Sequence, residues 1–187
     1  VFTGPRRERC VARNRGIAAA RGDLVAFLDG DDLWHPTKLA RQIAALDAAP
    51  GAGWCYTLTR FIDADERPLP LRKPPQPTAG HVFAQLVRAN FMILASVIVR
   101  RAVLREAGVF DERLTPLGCE DWDLWLRIAQ RAPVCVVPEE LTAYRRHARN
   151  TDGAQLLASG LAVLDRCYAD GAAAARLSHA AARARLC

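Results

Sequence analysis

Leu24-Val25-Ala26-Phe27-Leu28-Asp29-Gly30-Asp31-Asp32 is a short apolar run that ends abruptly in three carboxylates. A run of that length reads as a buried strand. Its acids then lie at the strand's carboxyl end, where open α/β sheets bind their ligands. Side chains alternate along extended backbone, so Asp29 and Asp31 are expected to point the same way, two oxygen donors suited to one hard cation. The competing reading is a solvated acidic turn, which Asp-Gly pairs form readily.

On either side of this run, regular elements alternate. Val1-Phe2 reads as the end of a strand. Arg9 to Arg21 is rich in helix formers and stops at Gly22, a plausible C-cap. After the acids, Pro36 opens a helix over Thr37 to Ala49, with Leu39, Ile43 and Leu46 at helical spacing as its expected apolar face. Trp54 to Ile62 reads as a strand, and Pro68 to Gly80 as an irregular, proline-rich segment. A short helix near Val82 to Arg88, a strand at Ser96 to Arg100, an amphipathic helix at Glu120 to Ala132 and a strand at Val134 to Val137 follow. The alanine-rich remainder from Ala154 reads as two helices. Strands and helices in alternation predict a layered α/β fold.

The 187 residues, about half of them apolar, suffice for one good core. The net charge of +6 comes from arginines scattered along the chain, which suits an anionic small substrate or an anionic membrane surface at least as well as nucleic acid. The longest apolar stretch, Phe91 to Val99, is interrupted by Ser96 and is too short to span a bilayer. The six cysteines (Cys10, Cys55, Cys119, Cys135, Cys167, Cys187) form no close pair in sequence and no metal-ligand spacing, so a reduced, cytoplasmic setting is expected.

Three further segments carry possible chemistry. In Cys119-Glu120-Asp121-Trp122-Asp123-Leu124-Trp125-Leu126-Arg127 two adjacent acids open a tryptophan-rich helix. Helix-dipole capping explains acids there, but a carboxylate beside large aromatic surface is also desolvated toward the pKa of a usable general base. Tyr144-Arg145-Arg146-His147-Ala148-Arg149-Asn150 is either a solvated edge or a histidine completing a metal shell beside arginines that take phosphate oxygens. Arg13-Asn14-Arg15-Gly16 is either a polar helix face or a pair, Arg13 and Asn14, offered to a nucleotide.

Taken in order, Arg13-Asn14-Arg15-Gly16-Ile17, Ala20-Arg21-Gly22-Asp23, Phe27-Leu28-Asp29-Gly30-Asp31-Asp32, Glu120-Asp121-Trp122-Asp123-Leu124-Trp125-Leu126-Arg127 and Tyr144-Arg145-Arg146-His147 strongly resemble the family-2 inverting glycosyltransferases. The resemblance runs from about Arg9 to Asn150. It implies the glycosyltransferase A-type fold, a Rossmann-like α/β nucleotide-diphospho-sugar transferase, with residues 1–150 as a partial catalytic domain and 151–187 as a helical extension. It further implies that Asp29 and Asp31 form the Asp-x-Asp motif holding a divalent cation, Mn or Mg, with His147 as a further metal or diphosphate contact and Asp32 in support. Asp121 would be the catalytic base, Glu120 would hold the acceptor or orient that base, and Arg13, Asn14 and Arg146 would bind the donor. The implied partners are a nucleotide-diphosphate sugar, a UDP-sugar first among them, and a glycan or lipid-linked acceptor, with no nucleic acid. The implied setting is cell-envelope glycan synthesis in the cytoplasm, at the inner face of the membrane through peripheral association.

Relatives of this kind begin with an apolar strand, a turn, a helix and a second strand. Val1-Phe2 corresponds to the end of a later strand, so the resemblance implies an N-terminally truncated fold that lacks roughly its first two βα units. Two rival readings also fit parts of the sequence. A haloacid-dehalogenase-type phosphatase places Asp-x-Asp after an apolar strand, although Asp31 is followed by Asp32-Leu33 rather than Gly-Thr. A non-catalytic basic module would bind nucleic acid or an acidic membrane in a salt-dependent way.

Overall fold

The computed structural model describes residues 9–70, 76–114, 118–147 and 153–169. Val1-Phe2, Arg149-Asn150, Cys187 and the second C-terminal helix expected from the sequence lie outside the described residues. In chain order the elements are α1 (Arg9–Ala19), β1 (Leu24–Ala26), β2 (Leu33–Trp34), α2 (Lys38–Ala48), β3 (Trp54–Ile62), β4 (Pro68–Leu69), α3 (Phe83–Arg88), β5 (Val97–Arg100), α4 (Arg101–Ala107), α5 (Glu120–Ala129), β6 (Val134–Arg145) and α6 (Gly153–Ala169). No described helix is long and apolar enough to cross a membrane.

The strands form one mixed sheet in the order β1-β5-β3-β6-β2, with β4 added to the far end of β3. β3 and β6 run parallel, Trp54 opposite Val134 and Ile62 opposite Arg145, while the other pairs are antiparallel. Alternation along β3 sends Trp54 and Tyr56 into the larger core and Cys55 into the smaller one. The larger core gathers Cys10 of α1, Leu86 of α3, Leu104 of α4, Leu124 and Trp125 of α5 and Leu164 of α6. The smaller core lies under α2, with Leu46 against Ile98, Val137 and Leu141. Trp125 stacks on Trp54 at 5.7 Å and meets Phe27 at 6.0 Å, so the middle of α5 is core. Gly53, at the entry to β3, has no room for a side chain. A Cβ there would lie 2.4 Å from that of Ala132 and 2.8 Å from Val103.

The structure departs from the sequence expectations in four places. The strand from Leu24 keeps ladder pairing only to Ala26, at the edge of the sheet, and its burial alternates: Val25 and Phe27 are buried while Leu28 is 48% exposed. A strand with one partner exposes alternate side chains, hence the difference from a fully buried run. Second, α2 buries Lys38, Gln42 and Leu46, whereas Leu39 and Ile43 are 41% and 43% exposed. The polar pair is retained inside because its groups are satisfied: Lys38 donates to Gln42 Oε1 (2.7 Å) and sits over the Trp34 ring, and Gln42 Nε2 donates to the carbonyls of Cys55 (3.1 Å) and Ser96 (2.9 Å). Burial lowers the Lys38 pKa to about 8. Third, β6 runs unbroken through Pro138 to Arg145, because register shifts opposite Thr57 and Leu58 absorb the irregular stretch. Fourth, β2, β4 and α4 add short elements where no pattern was legible.

Candidate active site

The sheet brings the ends of β1 and β6 and the start of α5 to one cleft of about 620 Å³. Arg13, Asp29, Glu120, Asp121 and Arg146, all singled out from the sequence, line it. Arg9, Cys119, Phe61, Tyr144 and Leu156 line it too, and sequence reasoning missed them. The alternation of β6 explains the choice between neighbouring arginines. Arg146 is exposed at the cleft, with no described partner for its guanidinium. Arg145 turns to the backbone, donating to the carbonyls of Asp31, Asp63 and Ala64 and to Glu66 Oε1. It clamps the acidic turn to the end of β3.

The acids after β1 are arranged by a turn, not by extended alternation. The Asp32 N–H donates to the Asp29 carbonyl (3.2 Å), with Gly30 and Asp31 at the bend. Asp29 therefore faces α1, where its Oδ1 accepts from Arg13 Nη2 (2.7 Å), while Asp31 Oδ2 meets His147 Nε2 (2.8 Å). Asp32 is buried, its Oδ1 accepting the N–H of Arg145 (3.0 Å) and its Oδ2 without a partner among the described residues. Burial, together with Asp29 and Asp31, pushes its pKa up to about 6. Among the described residues no three His, Cys, Asp or Glu side chains converge to hold a metal. The protein thus supplies a carboxylate and an imidazole at one point, and Asp29 is engaged elsewhere.

At the opposite wall, α5 is preceded by Cys119, whose φ of 60° is in the left-handed region that non-glycine residues rarely occupy. This turn sets Glu120 and Asp121 in the first helical turn. Glu120 is buried and accepts from Arg13 Nη1 (2.7 Å). Asp121 is half-buried, and its Oδ1 accepts the Trp122 N–H (2.7 Å). Among the described residues nothing donates to its Oδ2. Burial and the Glu120 charge raise the Asp121 pKa to about 6, against the smaller opposing pull of the Trp122 N–H and Arg13. Farther along the motif Asp123 and Arg127 are structural: they pair at 2.7 Å, and Arg127 also caps the carbonyls of Ala107 and Val109.

Asn14 does not line the cleft. Its Nδ2 donates to the Phe110 carbonyl (2.9 Å) and to Glu112, and its Oδ1 accepts the Phe110 N–H (2.9 Å). Trp122 lies at the cleft edge with its indole N–H donated to Leu86, and Trp125 is wholly buried.

The family model described as glycosyltransferase-like family 2 matches residues 8–155. The chain belongs to this family. A protein of Erwinia amylovora named amylovoran biosynthesis glycosyltransferase AmsB is 50% identical over 124 residues, 62% of this chain and 39% of that protein. An uncharacterized glycosyltransferase of Methanocaldococcus jannaschii is 26% identical over 138 residues, 73% of this chain and 47% of its own. The chain thus spans less than half the length of these two relatives. Among solved structures, S. aureus TarS in complex with UDP-GlcNAc superposes with a TM-score of 0.63 at 16% identity, covering 98% of this chain and 51% of that one. GalNAc-T7 with UDP, GalNAc and Mn2+ superposes with a TM-score of 0.59 at 16% identity, covering 87% and 35%. The fold of this family-2 chain is the glycosyltransferase A-type α/β fold. Membership in this family sets aside the phosphatase reading.

Proposed function

We propose that the cleft moves a sugar from a nucleotide-diphosphate donor to an acceptor hydroxyl, with inversion at the anomeric carbon and Asp121 as the base. One observation carries this reading. Asp121, its pKa raised to about 6, shares a single cleft with Asp29 and with Arg146, and among the described residues neither the Asp121 Oδ2 nor the Arg146 guanidinium has a partner. A base poised near neutral pH is ionised at working pH yet still accepts a proton in the transition state. Asp121 takes the acceptor's hydroxyl proton as that oxygen bonds to the anomeric carbon, and the bond to the diphosphate breaks with its electron pair leaving on the diphosphate. A single base on one face accounts for inversion. Arg146 offers its guanidinium to the phosphate oxygens.

The donor chemistry of Asp31 and His147, with the buried Asp32 carboxylate beside them, fits a Mn or Mg ion, and these residues would hold it, since such ions are commonly held by one or two carboxylates together with substrate phosphates. An ion held there would supply positive charge against the departing diphosphate. A UDP-sugar is the favoured donor, supported by the nucleotide sugar bound to TarS. The Erwinia relative, named for amylovoran biosynthesis, supports a biosynthetic role. A glycan or lipid-linked acceptor, met at the cytoplasmic face of the membrane, belongs to the same proposal.

The test is a screen of nucleotide-sugar hydrolysis and transfer by the full-length protein, with Mn and with chelator, beside Asp31→Ala. Mn-dependent turnover of a UDP-sugar that the substitution removes is expected. Turnover of no donor, or turnover indifferent to Mn and to Asp31→Ala, would contradict the proposal.

A further inference from the structure

Arg13 reaches both walls of the cleft at once. Its Nη2 donates to Asp29 Oδ1 and its Nη1 to Glu120 Oε1, each at 2.7 Å, and the guanidinium lies over the Phe110 ring, 5.4 Å from its centre. The next residue, Asn14, exchanges two hydrogen bonds with the Phe110 backbone, so the residue that carries the ring is tied to α1. The guanidinium is 15% exposed and Glu120 only 6%, so the bridge to α5 is nearly dry. A planar fork with several fixed donors can hold two carboxylates at a set separation, whereas an ammonium is a single point charge.

We infer that Arg13 is a positioning residue that fixes the distance between the donor wall at Asp29 and the base wall at Glu120-Asp121. The inference rests on the glycosyl-transfer reading of the cleft and gives α1 its part in it. The bridge also sets the charge around the base. Asp121 is faced by Glu120 and the Cys119 thiol from its own segment, by Arg13 and Arg9 from α1, by Asp29 from the loop after β1 and by Arg146 from the end of β6. Glu120 and Asp29 oppose ionisation of Asp121, and Arg13 favours it while paired to both. Removing the guanidinium takes the close partner from both carboxylates beside the base and leaves Glu120 only the longer contact to the half-exposed Arg9, at 3.7 Å.

Two measurements test this. One is a carbon-detected NMR titration of the Asp121 carboxyl in this chain, and the other the pH profile of kcat in the full-length protein with saturating UDP-sugar. Arg13→Gln should move the Asp121 midpoint and the acid limb of the profile up by about one pH unit. It should also lower kcat by between about ten- and a hundredfold, the scale of a small misplacement of reacting groups. Arg13→Lys should restore the acid limb, having kept the charge, but not kcat, having lost the fork. An Arg13→Gln protein that folds with the Asp121 titration and acid limb unmoved overturns the inference, as does full recovery of kcat by Arg13→Lys. The second result decides the matter if Arg13→Gln does not fold. If the unsubstituted protein turns over no nucleotide sugar, the transfer reading falls, and the carboxyl titration still judges Arg13.

Discussion

Asp32 is a buried carboxylate with one oxygen unpartnered among the described residues, and its pKa stands at about 6 against an ordinary 3.8. Between those values the folded protein holds a proton that the unfolded chain has released, so stability falls as pH rises from about 4 to about 6. Asp32→Asn keeps the acceptor for the Arg145 N–H and removes the buried charge. In chelated protein it should stabilise at pH 7 by up to about 3 kcal/mol, two pH units at 1.36 kcal/mol each, and the gain should vanish below about pH 4. Denaturant melts at the two pH values check this, and an equal gain at both would contradict the charge argument. If Asp31 and His147 meet over a cation, His147→Ala should weaken the Mn response of donor binding without abolishing it. An unchanged Mn titration would leave the imidazole a structural partner of Asp31. Residue types and order were enough to single out Asp29, Asp31, Glu120, Asp121, Arg146 and His147. They did not show that Asn14 spends its amide on Phe110, or that Cys119 adopts φ 60°, because neither leaves a periodic trace.

At the scale of elements, α2 teaches the most. Helical spacing picks out Leu39, Ile43 and Leu46 as an apolar face, yet two of the three are outside, and Lys38 and Gln42 are in. Spacing reports only which residues share a stripe, and a buried polar pair with every group engaged competes with an apolar one. Gln42→Leu would orphan the carbonyls of Cys55 and Ser96 and leave Lys38 without its acceptor. A loss of roughly 2–4 kcal/mol is expected, against less than about 1 kcal/mol for Ile43→Ala on the exposed side. Chemical denaturation of the two variants checks the order, and the reverse order would put the apolar stripe back at the core. β3 and α5 were legible almost to their ends, since each carries a long, dense apolar pattern. β2 and β4, two residues each, exist only through their partners β6 and β3.

Across the whole molecule, layering was readable from the alternation of elements, but strand order and direction were not, because they depend on pairing between distant segments. Cys55 and Cys135 show this well. Eighty residues apart in sequence, they stand opposite one another in the β3–β6 ladder. α6 likewise contributes Val163 and Leu164 to the main core, ties Arg166 to Asp111 and sets Leu156 and Leu157 at the cleft. The fold thus draws its cleft from α1, the turn after β1, α5, the end of β6 and α6, with the base and the donor-side acids on different walls. The claim that this division is a division of labour meets its most direct test in Asp121→Asn, made in the full-length protein and measured for both UDP-sugar binding and transfer. Transfer should fall by roughly two to four powers of ten with donor affinity nearly unchanged, because shape and the Trp122 N–H contact survive and only the base is lost. A loss of donor binding as large as the loss of transfer, or transfer that persists, would contradict it.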